Sequence, residues 1–361
     1  MSHFTLPVHA IKGRGSATAM PHRFHADARE PFDDGWGTAE AVVRTESAAR
    51  TEVVLEDAKS AISRNESPDI HFDYGLNPYR GCEHGCIYCY ARPTHSYLNL
   101  SPGLDFETRI IAKPNLAQRL AGELGRRSYV PRQIVIGSAT DAYQPIERRL
   151  RITRSLIELL QRCHHPLAIV TKGSGVERDL DLLAPMAAHG LVAVYVTITT
   201  LDSELARKLE PRAASPERRL RTIRTLAEAG VPVGVSVAPQ IPFINEDLEQ
   251  VLGASAAAGA QRAFYAVLRL PWEVNPLFQQ WLALHYPLRA ERVMARVREM
   301  RGGRDYDSDF ATRMKGQGVW AELLRQRFEK TCARLGLNRE RLPLDVTQFR
   351  PALLAGQGSL F

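Results

Sequence analysis

The stretch Asn77-Pro78-Tyr79-Arg80-Gly81-Cys82-Glu83-His84-Gly85-Cys86-Ile87-Tyr88-Cys89-Tyr90-Ala91-Arg92 carries three of the chain's five cysteines. Three residues separate the first pair and two the second, with Tyr88 just before the third cysteine. Three thiolates on a short Gly-containing loop can wrap one soft metal centre. Tetrahedral zinc, or an iron–sulfur cluster held wholly by protein, takes four ligands. A cubane held by three cysteines leaves one iron open to a substrate or cofactor. The competing reading is a structural zinc loop, with His84 or His95 as the fourth ligand.

Working outward, the chain alternates short β-branched runs with amphipathic segments. Strands are expected near Ile70–Leu76, leading into the cysteine loop, and at Gln133–Ile136, Leu167–Val170, Val192–Ile198, Val231–Val237 and Ala263–Leu268. An earlier short strand is expected at Glu52–Leu55. Helices are expected at Asn115–Leu124, Ile152–Arg162, Leu180–His189, Ser215–Ala229 and Asp247–Ala258. Ile152, Leu156, Leu159 and Leu160 share one helical face. Ser215-Pro216 offers a cap and a first-turn proline, and Gly190 and Gly230 stand where helices stop. Continuous apolar strands with helices between them predict a parallel sheet covered on both faces. The expected architecture is α/β: a partial (β/α)6 TIM-like barrel over residues 51–270. A poorly ordered N-terminal segment (1–50) and a helical C-terminal extension (271–361) flank it. The main C-terminal helices are expected at Arg289–Arg301 and Trp320–Leu335, and the Gly-rich linker 302–318 reads as a lid or an ordinary loop. The last twelve residues read as frayed.

In the N-terminal segment Phe24, Phe32 and Trp36 are candidate pins onto the body, and His3, His9, His22 and His25 read as surface residues. The 361-residue chain is 44% apolar and 24% charged, as an ordinary soluble globular protein is. No run approaches the roughly 18 apolar residues of a membrane span, and the start lacks the pattern of a signal peptide. Cys163 and Cys332 are isolated in helical patterns, so the cysteines read as reduced and metal-binding and the protein as cytoplasmic. The net charge of +7 invites a nucleic-acid partner. Only seven of the 47 basic residues are Lys, however, and the Arg preference suits a GC-rich genome. Arg148, Arg149, Arg151, Arg154 and Arg218, Arg219, Arg221, Arg224 read as solvated helix faces.

If chemistry sits at the C-terminal ends of the strands, as in barrel enzymes, polar residues should gather there. Ser138, Thr140 and Asp141 follow the second strand, with Asp141 also a candidate helix cap. Lys172 follows the third, in a setting that is not a phosphate-binding loop. Thr197 and Thr199 alternate with Ile198 at the fourth, where β-formers are equally at home for structural reasons. Ser236, Ala238 and Pro239 end the fifth.

The spacing Cys82-x₃-Cys86-x-Tyr88-Cys89 resembles the cluster signature of the radical S-adenosylmethionine (SAM) superfamily. The longer run Asn77–Arg92 looks like the branch related to spore photoproduct lyase. That resemblance spans about Ser67–Leu270. It implies a [4Fe-4S] cluster on Cys82, Cys86 and Cys89, and an enzyme that cleaves SAM reductively to a 5′-deoxyadenosyl radical. It also implies roles at the strand ends. Ser138, Thr140 and Asp141 would face the methionine ammonium, and Lys172 its carboxylate. Thr197 and Thr199 would face the ribose. Ser236, Ala238 and Pro239 would face adenine with Tyr88, and Tyr90 would sit beside the cofactor. The Glu210–Ser215 loop looks like a family loop that faces substrate. An electron donor of flavodoxin or ferredoxin type is implied, and no membrane partner. Within the branch a nucleic-acid lyase or modifying enzyme is the alternative. The hydrogen-donating cysteine of spore photoproduct lyases is missing here, because Gly137–Asp141 contains none, which speaks against thymine-dimer repair and leaves the radical chemistry intact. Tyr143 or another tyrosine could deliver a hydrogen atom, a role the sequence does not show. A zinc-binding or redox-sensing protein without catalysis is the alternative of another class.

Overall fold

Parallel pairing organises the chain. The computed structural model describes residues 9–24, 50–340 and 343–354. Its strands are β1 (Glu52–Leu55), β2 (Ile62–Arg64), β3 (Tyr74–Leu76), β4 (Tyr79–Arg80), β5 (Arg109–Ala112), β6 (Ile134–Ile136), β7 (Leu167–Thr171), β8 (Val192–Thr197), β9 (Val233–Gln240) and β10 (Arg262–Val267). The large sheet runs β10-β9-β8-β7-β6-β3-β2. From β3 to β10 every pair is parallel, and β2 is antiparallel to β3 at the far edge. The six expected strands are therefore present in the expected order. Their pairing does not close, since β10 and β2 are free edges. A second sheet, β1-β5-β4, was not expected. It launches the cysteine loop, because β4 ends one residue before Gly81.

The helices between strands are α1 (Leu116–Leu124), α2 (Ile152–Arg162), α3 (Leu180–Ala188), α4 (Ser203–Leu209), α5 (Pro216–Glu228) and α6 (Leu248–Ala257). Ile152, Leu156, Leu159 and Leu160 of α2 are buried against the sheet, as the periodicity predicts. Ile134, Ile136, Leu167, Ile169, Val192, Val194 and Val196 are fully buried in the same core. Ser215 caps α5, its Oγ accepting from Arg218 N at 3.3 Å. After β10 come α7 (Val274–His285), α8 (Pro287–Glu299) and α9 (Gly318–Leu335). Helix α7 was not singled out in the sequence. Trp281 on it donates to Lys208 O at 3.0 Å, joining the tail to the segment after β8.

The N-terminal expectation changes for residues 9–24. They dock on the body through backbone N–H groups that find a buried carboxylate, as detailed below. His22 is buried, its Nε2 3.0 Å from Asn99 Oδ1, so it is not a surface residue. Arg23 pairs with Glu273 at 2.8 Å. His3, His25, Phe32, Trp36 and the chain end from 355 lie outside the described residues. Linker 302–317 is held in place: Val267 N donates to Met314 O at 2.9 Å, and Arg301 reaches Leu268 O and Thr312 O. Arg313 then grips Asp69, just before β3, at 2.5 and 2.6 Å. That pair joins a loop on the β10 edge to the segment between β2 and β3 at the other edge. Among the described residues no helix is long and apolar enough to cross a membrane.

Candidate metal and cofactor site

The cysteine loop is a run of tight turns. Gly85 N donates to Cys82 O, Cys89 N to Cys86 O and Arg92 N to Cys89 O, each at 3.2–3.3 Å. Gly85 has φ +68, and a Cβ there would come within 2.7 Å of Glu107 Oε2. Only glycine fits that turn. Cys82 and Cys86 are buried, Cys89 is half-buried, and none forms a disulfide.

One fully buried guanidinium holds this loop. Arg92 donates to Cys86 O (2.8 Å), Gly85 O (3.1 Å), Gly103 O (2.9 Å) and Pro102 O (3.2 Å). It also pairs with the buried Glu107 at 2.5 Å. The same carboxylate accepts from Gly15 N and Ser16 N, both at 2.9 Å. Residues 14–16 thus belong to the scaffold of the cysteine loop. On the opposite side Asn77 ties β3 to the end of β6, accepting from Ala139 N at 2.8 Å and donating to Ser138 Oγ at 3.1 Å.

The expected site residues fall around this loop. Thr140 is buried and donates to Gly81 O at 2.6 Å. Tyr90 is half-exposed and donates to Ser138 O, with the Arg269 guanidinium 5.2 Å from its ring centre. Asp141 accepts from Tyr143 N, Thr171 Oγ1 and Lys172 N at 2.7–2.8 Å. It therefore binds the end of β6 to the end of β7. Burial opposes its charge, but His84, 3.2 Å from Oδ2, and these donors hold it well below the usual carboxylate range. Lys172 stands with its ammonium 5.7 Å from the Tyr88 ring centre. Thr197 lies opposite Ser236 in the β8–β9 register, and both are buried. Ala238 and Pro239 are half-buried at the end of β9, with Ala238 O 3.3 Å from Thr199 Oγ1.

Behind Tyr88 lies a network that sequence reasoning missed. Its hydroxyl donates to Glu210, which also accepts from Thr199 Oγ1 and from Arg219. Arg219 is buried and further donates to Ala214 O (2.7 Å) and Thr197 O (2.9 Å). This corrects one expectation, since Arg219 is not on a solvated face; Glu210, in the Glu210–Ser215 loop, is buried against Tyr88. Burial works against Glu210's charge, yet Arg219 and Lys172 bring its pKa down to about 2. Burial pushes Cys86 up to about 12, with Lys172 and Arg219 opposing and Glu210 adding to the rise. Burial would lower Lys172, but Cys86 and Glu210 keep it above its ordinary value. The nearest sequence signal for Glu210 was the loop that contains it, which gave no hint of direction. Tyr143, a possible hydrogen donor, is buried with its hydroxyl on Asp179 at 2.9 Å.

The donor set suits a cluster. Three free thiols share one turn-rich loop, with Lys172 and Arg219 opposing the rise that burial imposes on Cys86. Among the described residues no group of three or more His, Cys, Asp or Glu side chains is placed to hold a metal ion. His95 has its Nε2 3.1 Å from Arg109 O, and His84 faces Asp141.

A family model described as the radical SAM superfamily matches residues 76–253. An uncharacterized protein of Mycobacterium tuberculosis (strain H37Rv) is 38% identical over 246 residues, covering 67% of this chain and 71% of the relative. One of Methanocaldococcus jannaschii is 28% identical over 239 residues, covering 66% of this chain and 85% of the relative. Among solved structures, a spore photoproduct lyase mutant superposes with TM-score 0.53 at 16% identity, over 88% of this chain and 87% of that one. Another, with bound AdoMet and dinucleoside spore photoproduct, gives TM-score 0.54 at 17% identity, over 86% of each chain. These two likenesses carry the fold.

Proposed function

The chain belongs to the radical SAM superfamily and is an enzyme, and on that premise we propose that it binds a [4Fe-4S] cluster through Cys82, Cys86 and Cys89 and SAM at the strand ends beside it. The superfamily implies both groups. Held there by the three cysteines, the cluster would supply the electron for reductive cleavage of SAM, the chemistry that the superfamily implies. One observation carries the reading: three free thiols sit on one loop whose backbone is fixed by the buried Arg92. In a cubane each thiolate serves its own iron, so the three need not converge on a point as zinc ligands must. Among the described residues neither His84 nor His95 joins the thiols in a group placed to hold a single metal ion.

The chain's own residues then divide the work. Arg92 and Glu107 hold the loop. Lys172 offers its ammonium to the SAM carboxylate, and Ser138 with the turn at Thr140 and Asp141 offers acceptors to the ammonium. Asp141 contributes chiefly by fixing β6 to β7, because protein donors already engage its oxygens. Thr197 and Thr199 line the ribose side. Ser236, Ala238 and Pro239 with Tyr88 bound the adenine side, and Tyr90 flanks the cofactor. We read the open sheet as a partial (β/α)6 barrel over residues 51–270, its gap bridged by Arg313–Asp69, with 271–361 as an extension. A flavodoxin or ferredoxin is the expected electron source. The experiment is anaerobic reconstitution of wild type, Cys86→Ala and Cys163→Ala. Wild type and Cys163→Ala should take up about four irons per chain, and Cys86→Ala should not. Full loading of Cys86→Ala, or zinc without iron in wild type, contradicts the assignment.

A further inference from the structure

The potential of an iron–sulfur cluster depends on the net charge, hydrogen bonding and solvent around its thiolates. Around the Cys86–Cys89 turn the chain gathers three charged side chains from separate segments: Lys172 after β7, 5.7 Å from the Tyr88 ring centre, Glu210 after α4, which accepts from Tyr88, and Arg219 on α5, which pairs with Glu210, while Ile87 N donates to Leu209 O at 3.1 Å. Glu210 and Arg219 are at most 2% exposed. Among these three, two cations stand against one anion, with the Asp141 carboxylate accepting from the backbone N–H of Lys172 at 2.7 Å, in a water-poor setting where charge acts strongly. Glu210 is also fixed in place, since Tyr88, Thr199 and Arg219 all donate to it. It therefore responds little when the charge of its surroundings changes.

We propose that Glu210 sets the reduction potential of the cluster by cancelling one of the two cations beside Cys86, keeping the cluster strongly reducing. The inference rests on the cluster assignment of the preceding subsection. Without the carboxylate, Lys172 and Arg219 together would favour the reduced, more negative cluster. The potential would rise and the driving force for SAM cleavage would fall. Glu210 is a positioning residue, acting through the field at Cys86 and the placement of Tyr88.

The test is a redox titration of the reconstituted protein without SAM, followed by electron paramagnetic resonance, with iron counted in each sample. Glu210→Gln should shift the midpoint to more positive potential at unchanged iron content. Glu210→Asp, which keeps the charge, should titrate close to wild type. An unpaired buried cation can destabilise the fold, so Glu210→Gln/Arg219→Met removes both partners. Its local charge equals that of wild type, and so should its midpoint. A midpoint unmoved in Glu210→Gln, or shifted as far in the double variant, overturns the proposal. So does loss of the cluster in all three variants, which would make the role structural alone. Wild type that binds no cluster overturns the assignment beneath it as well.

Discussion

Gly15→Ala probes the contact between the N-terminal segment and the cysteine loop. A Cβ at Gly15 would lie 1.8 Å from Gly85 O and 3.0 Å from its carbonyl carbon. Both obstacles are backbone, so no rotamer change relieves them. Residues 14–16 must lift, which breaks the bonds from Gly15 N and Ser16 N to Glu107. Hydrogen bonds to a charged group are worth about 1.5–3 kcal/mol each, so docking loses about 3–6 kcal/mol. At about 1.4 kcal/mol per factor of ten, the Ser16 amide should lose at least about a hundredfold of its protection from hydrogen exchange. The Arg92–Glu107 pair persists, so amides of the central strand β8 should keep theirs. Unchanged protection at Ser16, or equal loss throughout β8, refutes the reasoning.

Two other substitutions test the frame around the site. His165 is fully buried: its Nδ1 is 3.0 Å from Pro166 O and its Nε2 is 2.7 Å from Tyr129 OH, so the neutral ring fits as donor and acceptor. Burial lowers its pKa to about 4 from 6.5. A depressed histidine contributes stability that is present above pH 6.5 and lost as pH falls towards 4, here up to about 3 kcal/mol. Urea unfolding across that window should show the loss in wild type and a flatter profile in His165→Asn. Arg313→Ala should free linker 302–317 from Asp69, seen as faster chymotryptic cleavage at Phe310 in the folded protein. Equal cleavage rates would show that the pair does not hold the linker.

The strands and the cysteine loop were legible because they rest on local pattern. β-Branched runs mark β7, β8 and β9 to within a few residues, and α2 matches its periodicity from Ile152 to Arg162. The second sheet was not legible, since Glu52 meets Arg109 and Tyr79 meets Ala112 across long stretches of chain. Helix α7 carries Pro276 in its first turn after Pro271, which masks its apolar face. The buried arginines were hidden for another reason. An arginine in a sequence reads as solvated, and only tertiary structure shows that Arg92 and Arg219 bring enough carbonyls and a carboxylate to be buried. The N-terminal residues lacked apolar periodicity because backbone N–H groups and single polar side chains such as His22 and Arg23, rather than a repeating apolar face, hold them down.

The most direct test of the central claim is SAM cleavage by the reconstituted protein under anaerobic conditions with dithionite. The account predicts release of 5′-deoxyadenosine by wild type, and none by Cys86→Ala. An iron-loaded wild type that binds SAM and releases no 5′-deoxyadenosine, even as substrates are surveyed, would contradict it.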